Sequence, residues 1–75
     1  MKISNEAFER LRNEAMDLRL KIGSLEALFR SKEYHLLADI ERNLLSSQHI
    51  TMRNYEAILT QRIIFIEDKI FGDNE

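Results

Sequence analysis

The fold is decided by residues 45–66, which read LSSQHITMRNYEAILTQRIIFI. The stretch carries a seam at alternating steps of three and four residues, the spacing of a helix face that packs against another helix. The seam positions are Leu45, Gln48, Met52, Tyr55, Leu59, Arg62 and Ile66. Residues 63–66 are apolar on every side of a helix, so one neighbouring helix covers only part of them. The pattern predicts a helix with more than one partner.

A second apolar seam with the same steps precedes this stretch, at Phe8, Leu11, Ala15, Leu18, Ile22, Leu25 and Phe29. It predicts a first helix over about residues 4–31, with Ser4 as the N-cap. Gly23 lies inside this helix and costs about 1 kcal/mol relative to Ala. Two interpretations of Gly23 stay open, a tolerated cost or the close approach of a partner helix.

Residues 32–38 form a short link, and a second helix is predicted over about 39–71, with Asp39 as cap and Gly72 as stop. We therefore expect one all-α domain over residues 1–75, an antiparallel two-helix hairpin with a short structured link. The hairpins should assemble into a homo-oligomeric helical bundle, because two helices enclose little volume. The expected core and oligomer seam is Phe8, Leu11, Leu18, Ile22, Leu25, Phe29, Leu45, Met52, Leu59, Ile63 and Ile66.

Composition narrows the classes of function. A chain of 75 residues supplies a core worth only about 3–5 kcal/mol without staples or partners, and this chain has no Cys for a disulfide. Its net charge of −2 lacks the basic excess of a duplex nucleic-acid binder. No apolar run is long enough to span a membrane, and the lack of Cys fits the cytoplasm. Two isolated His residues do not make a metal site.

Catalysis is not expected, because no phosphate loop, nucleophile elbow or helical metal-ligand pair occurs in the chain. Gln48 and Arg62 lie fourteen residues apart on one helix stripe, where they either set the register of an oligomer or line a pocket between subunits. Tyr55, midway between them, either packs in the core or stacks on a ligand. Arg12 and Arg19 share one face of the first helix and are either solvated or bind an anion.

One pattern is more specific than helical periodicity. The second half reads Leu44-Leu45, Gln48, Met52, Tyr55, Ile58-Leu59 and Arg62-Ile63, and the first half adds Leu18, Lys21-Ile22, Leu25-Glu26 and Phe29. Over about residues 15–66 this resembles a family of short helical bacteriophage proteins first noticed in a crAss-like phage. The link departs from that family's pattern, because Tyr34-His35-Leu36-Leu37 replaces the usual turn residues.

The family is similar in size and hairpin shape to phage sponge proteins, which sequester nucleotide signals of the CBASS and Thoeris defences. The resemblance implies a non-catalytic, cofactor-free counter-defence protein in the host cytoplasm that binds a cyclic nucleotide or a related signal as a homo-oligomer. The residues that we would test first are Arg12, Arg19, Gln48, Tyr55 and Arg62. The alternatives are a protein-binding inhibitor of a host or phage enzyme and a structural subunit without a ligand.

Overall fold

The structure, a computed structural model, describes residues 5–71 of the 75-residue chain. Helix α1 spans Asn5–Phe29, α2 spans Lys32–Leu36 and α3 spans Asp39–Phe71. Helices make up 94% of the described residues, and these contain no strand, so the predicted all-α class is confirmed. The long helices α1 and α3 pack side by side as a hairpin that measures 56 × 17 × 15 Å.

The junction between α1 and α2 is organised by Ser31. Its hydroxyl donates to the carbonyl of Leu28 at 2.7 Å and accepts the backbone N–H of Tyr34 at 3.3 Å. One side chain therefore satisfies both the last turn of α1 and the first turn of α2, without Gly or Pro. The cap predicted at Ser4 and the stop predicted at Gly72 lie outside the described residues.

The start of α3 is capped by Glu41, three residues after Ala38. The carboxylate of Glu41 accepts the backbone N–H of Ala38 at 3.2 Å, which is one half of a capping box. Asp39, the predicted cap, is instead the first residue of the helix, where its carboxylate pairs with Arg42. Arg42 also donates to the carbonyl of His35 at 3.2 Å, so this side chain ties α3 to the end of α2.

The core lies along the line where α1 meets α3. Leu59 is fully buried at its centre, and Ile66 is the second buried residue of α3. The half-buried side chains of Met52 and Ile63 pack against the same cluster. The buried side chains of α1 are those of Phe8, Leu11, Ala15, Leu18, Ile22 and Leu25.

The face of α3 that meets α1 differs from the predicted seam at alternate positions. His49, Glu56 and Ile63 are turned towards α1 and are half-buried, whereas Gln48, Tyr55 and Arg62 are exposed. Positions 45, 52, 59 and 66 belong to both faces. Combined with either 48, 55 and 62 or 49, 56 and 63, they give a series with alternating steps of three and four residues. Positions 49, 56 and 63 face α1 because α1 carries hydrogen-bonding partners for two of them. Glu56 accepts a hydrogen bond from Arg19, and His49 is hydrogen-bonded to Glu26.

Replacing Leu59 with Ala should lower the free energy of unfolding by about 2–5 kcal/mol, because the side chain is fully enclosed and the cavity has little room to relax. Leu20→Ala on α1 is the matched control, since Leu20 is 67% exposed. Urea unfolding followed by circular dichroism measures both. An equal, small loss at the two positions would show that Leu59 is not central to the core.

Replacing Gly23 with Ala should raise the free energy of unfolding by about 1 kcal/mol, the difference in helix propensity. A methyl group at Gly23 meets nothing within 4 Å, so α3 does not use this position for close approach. Ser24→Ala, at the next exposed position, controls for general effects on α1. A loss of stability in the Gly23 variant would reveal a partner helix at this position.

Candidate functional site

One flank of the hairpin carries two clusters of charged residues that join α1 to α3. Arg19 on α1 donates to the carboxylate of Glu56 at 3.0 Å and to the hydroxyl of Thr60 at 3.2 Å. Thr60 in turn donates to the same carboxylate at 3.2 Å. The guanidinium of Arg19 is therefore already engaged by α3, which reduces its capacity to bind an external anion.

The second cluster on this flank lies two turns nearer the link. The Glu26 carboxylate lies 2.8 Å from Nε2 of His49 and accepts from the guanidinium of Arg53 at 3.3 Å. Phe29 closes it at the link end, with ring centres 5.3 Å from His49 and 5.1 Å from Tyr34, both edge to face.

Both carboxylates of this flank have a lowered pKa. The hydrogen bond from His49 is the main cause at Glu26, with the positive charge of Arg53 adding to it. At Glu56 the main cause is the hydrogen bond from Arg19. In each case the charged form is stabilised by the fold.

The opposite flank contains an open groove of about 410 Å³, here called the Tyr55 groove. Tyr55 forms its α3 side and donates its hydroxyl to the carboxylate of Glu14 on α1. This hydrogen bond raises the pKa of Tyr55, because the phenolate would face an anion. The other lining residues belong to α1: Arg10, Asn13, Asp17, Leu18 and Lys21.

Gln48, Tyr55 and Arg62 form a straight row along this flank, here called the Tyr55 row. Arg62 is exposed, and its charge acts on the Tyr55 hydroxyl. Gln48 is exposed too, and its amide nitrogen lies 3.7 Å from the sulfur of Met52. Tyr55 is 41% exposed, so part of this aromatic residue is accessible from solvent.

The five candidate ligand residues do not converge in one hairpin. Arg12 and Arg19 lie on the flank of the Glu56 cluster, and the guanidinium of Arg12 sits 5.8 Å from the ring centre of Phe8. The Tyr55 row lies on the other flank, across the helix pair. A ligand that touched both groups would have to reach around the hairpin or bind between copies.

The side of α3 that points away from α1 is here called the outer face. All its side chains are exposed, and from Ile40 to Phe65 none of them carries a formal charge, although charged residues make up 32% of the chain. One turn further along the same side, the exposed Asp68 brings a charge to the end of this face. Solvated helix faces normally carry charges, so this face has the character of a contact surface. Its residues are Ile40, Asn43, Leu44, Ser47, Ile50, Thr51, Asn54, Ala57, Ile58, Gln61, Ile64 and Phe65.

A second groove, of about 400 Å³, adjoins the outer face at the link end and is here called the link groove. It is lined by four leucines and by two acidic residues, Glu33 and Glu41. The leucines are Leu28, Leu37, Leu44 and Leu45.

Sequence reasoning missed the acidic residues that organise both flanks, Glu14, Glu26 and Glu56, and the bridging role of His49. The spacing of these charged residues in the sequence could have predicted which face of α3 meets α1. Arg19 and Glu26 are seven residues apart on α1, and Glu56 and His49 are seven apart on α3. In an antiparallel pair these spacings match, and they select the observed face of α3.

A family model describing Sequestin matches residues 5–65, most of the chain and nearly all of both long helices. The chain belongs to the Sequestin family. The name denotes a sequestering, binding role, and the match includes both flanks and most of the outer face of this Sequestin. Comparisons with curated proteins and with solved structures return no match. In the part of the chain that the structure describes, no helix is long and apolar enough to cross a membrane.

Glu26 makes the stability of the hairpin depend on acid. Its pKa is lowered from 4.5 in the fold, so its contribution is full above pH 4.5 and is lost as pH falls through the folded pKa. Glu26→Gln should therefore reduce the loss of thermal stability between about pH 5 and pH 2. Glu9→Gln, an exposed acid on α1, is the matched control. If the melting temperatures of wild type and Glu26→Gln fall equally as pH is lowered, the role of this cluster is contradicted.

Proposed function

We propose that this Sequestin is a phage counter-defence protein that acts stoichiometrically, as a homo-oligomer, by sequestering a nucleotide immune signal. The family name supports binding rather than catalysis. The observation that carries the nucleotide is the Tyr55 row, an exposed aromatic ring with a cation one heptad away, beside a groove of ligand size.

The groups around the row suit the parts of a nucleotide. The Arg62 guanidinium offers a planar fork to phosphate oxygens, and the partly exposed ring of Tyr55 offers a stacking surface to a base. Glu14 and Asp17 in the Tyr55 groove would repel phosphate, but as acceptors they suit ribose hydroxyls and base N–H groups. In this arrangement the phosphate lies towards Arg62 and the nucleoside lies in the groove.

Of the remaining candidates, Arg12 and Arg19 have a weaker claim. Arg19 already neutralises Glu56, and Arg12 lies over Phe8 on the same flank. Both stay candidates only for a ligand held between hairpins. Gln48 supplies an amide that can donate and accept, which suits a base edge or a phosphate oxygen.

The alternative function is a protein-binding inhibitor of a host or phage enzyme, and the outer face of α3 favours it. A face of this length with many exposed apolar side chains and few charges can dock on another protein. The two functions separate by experiment, since an inhibitor shows no response to nucleotides, whereas a sequestering protein does.

The test is thermal melting of the purified protein with 3′,3′-cyclic di-AMP, 3′,3′-cyclic GMP–AMP, ADP-ribose and cyclic ADP-ribose. A nucleotide that binds only the folded state adds about 2.7 kcal/mol at one hundredfold excess over Kd. No stabilisation by any of the four would contradict the proposed function.

Arg62→Met should weaken binding of the active nucleotide by roughly 10- to 100-fold, because it removes a charge-assisted contact to phosphate. The wild-type affinity should fall as salt rises from about 0.1 M to 1 M, since the Debye length shrinks from about 10 Å to about 3 Å. Arg30→Met, at an exposed Arg in the turn after α1, is the matched control. Unchanged affinity in Arg62→Met would remove this residue from the site.

A further inference from the structure

The two ends of the Tyr55 row are too far apart in one chain to bind the same nucleotide. Gln48 and Arg62 are fourteen residues apart on a continuous helix, which is about 21 Å at 1.5 Å per residue. One nucleotide cannot contact both ends of such a row. Either one of the two residues is idle, or another chain brings them together.

The outer face of α3 has the character of an interface between chains. Most of the large exposed apolar side chains among the described residues are on α3, including Ile40, Leu44, Ile58 and Phe65. The face runs from Ile40 to Phe65, which is about 38 Å of continuous helix at 1.5 Å per residue.

Two features of this chain complement each other. Phe65 is 57% exposed, and the ammonium of Lys69 lies 5.6 Å from the centre of its ring. The link groove has the complementary character, because it is lined mainly by leucines and also by the acidic residues Glu33 and Glu41. An aromatic ring with an attached cation fits an apolar cleft with attached anions, so the occupant of the outer face is a second copy of this chain.

The spacing of the two features gives the orientation of that copy. Leu44 in the link groove and Phe65 are twenty-one residues apart, three heptads along the same face of α3. Two antiparallel copies related by a two-fold axis can therefore form both contacts at once. The axis passes α3 between Asn54 and Tyr55, and Lys69 of each copy comes within one residue of the level of Glu41 of the other, next to Asp68. A parallel pair would place Phe65 against Phe65 and leave both link grooves empty.

This orientation aligns the Tyr55 rows of the two copies on the same side of the interface. Tyr55 of each copy lies next to the axis, and Arg62 of one copy comes within one residue of the level of Gln48 of the other. We propose that a second copy packs antiparallel on the outer face of α3, and that each nucleotide site takes Tyr55 and Arg62 from one copy and Gln48 from the other. The site half of this inference rests on the proposed function, and the interface half does not.

Sedimentation of the protein without nucleotide tests the interface. We expect wild type to be oligomeric at micromolar concentration, and Phe65→Ala or Lys69→Glu to lower the mass by half or more. Glu41→Lys should do the same, and combining it with Lys69→Glu should restore the wild-type mass because the charges are exchanged. Leu20→Ala, an exposed apolar position on α1, is the control and should leave the mass unchanged.

Two results would overturn the interface. One is a wild type that sediments as a monomer, and the other is a Lys69→Glu variant that keeps the wild-type mass. Glu41 also caps α3 through Ala38, so Glu41→Gln, which keeps the accepting oxygen, separates lost capping from lost charge. If either single variant unfolds, the double variant Glu41→Lys/Lys69→Glu still tests the interface, because it should recover both the helix content and the mass of wild type.

Complementation between two variants tests the shared site. Arg62→Met and Gln48→Leu should each lose binding of whichever nucleotide of the four stabilises wild type. When the two variants are unfolded and refolded together, each mixed dimer contains one intact site, so about a quarter of the wild-type binding capacity should return. A mixture that binds no more than its separate components would overturn the shared site.

The experiments can contradict the interface and the shared site independently of each other. If none of the four nucleotides binds wild type, the proposed function and the shared site both fall, and sedimentation still decides the interface. If a nucleotide binds but no complementation occurs, the proposed function stands and the site lies within one chain.

Discussion

The structure depends on one constraint: α3 is apolar on more sides than α1 can cover. The hairpin buries one face of α3 around Leu59 and Ile66, and leaves the outer face in contact with solvent. In α1, by contrast, burial is concentrated on one face, and few large apolar side chains remain outside. The two helices of one hairpin are therefore unequal, since α3 has a buried face and also an exposed face rich in large apolar side chains.

The polar contacts on the flank of the hairpin determine how α3 is rotated about its axis, which the apolar core does not. A row of buried leucines and isoleucines does not by itself say how α3 is rotated about its axis. The bonds from Arg19 to Glu56 and between Glu26 and His49 supply that information, because only one rotation brings both pairs together. Exposed ion pairs add little to stability, so the value of these contacts lies in specifying one arrangement.

The fold could be predicted from the sequence almost completely, because two seams with steps of three and four and the near absence of breakers leave few alternatives. The rotation of α3 could not be settled from its own pattern. Positions 48, 55 and 62 fit the apolar seam as regularly as positions 49, 56 and 63, and only the partners on α1 distinguish the two sets. The capping by Ser31 was hidden for another reason, since a lone Ser amid polar residues is a weak turn signal.

The candidate site follows from that rotation. Gln48, Tyr55 and Arg62 lie on a flank of the hairpin as an exposed row, which leaves them accessible to a ligand or to a second copy. The most direct test of the central claim, that α3 needs a second chain, is the melting temperature of the protein without nucleotide from 1 to 100 μM. If folding and association are linked, the melting temperature rises with protein concentration by mass action. A melting temperature independent of concentration, with full helix content throughout, would mean that one hairpin is sufficient and would contradict the account.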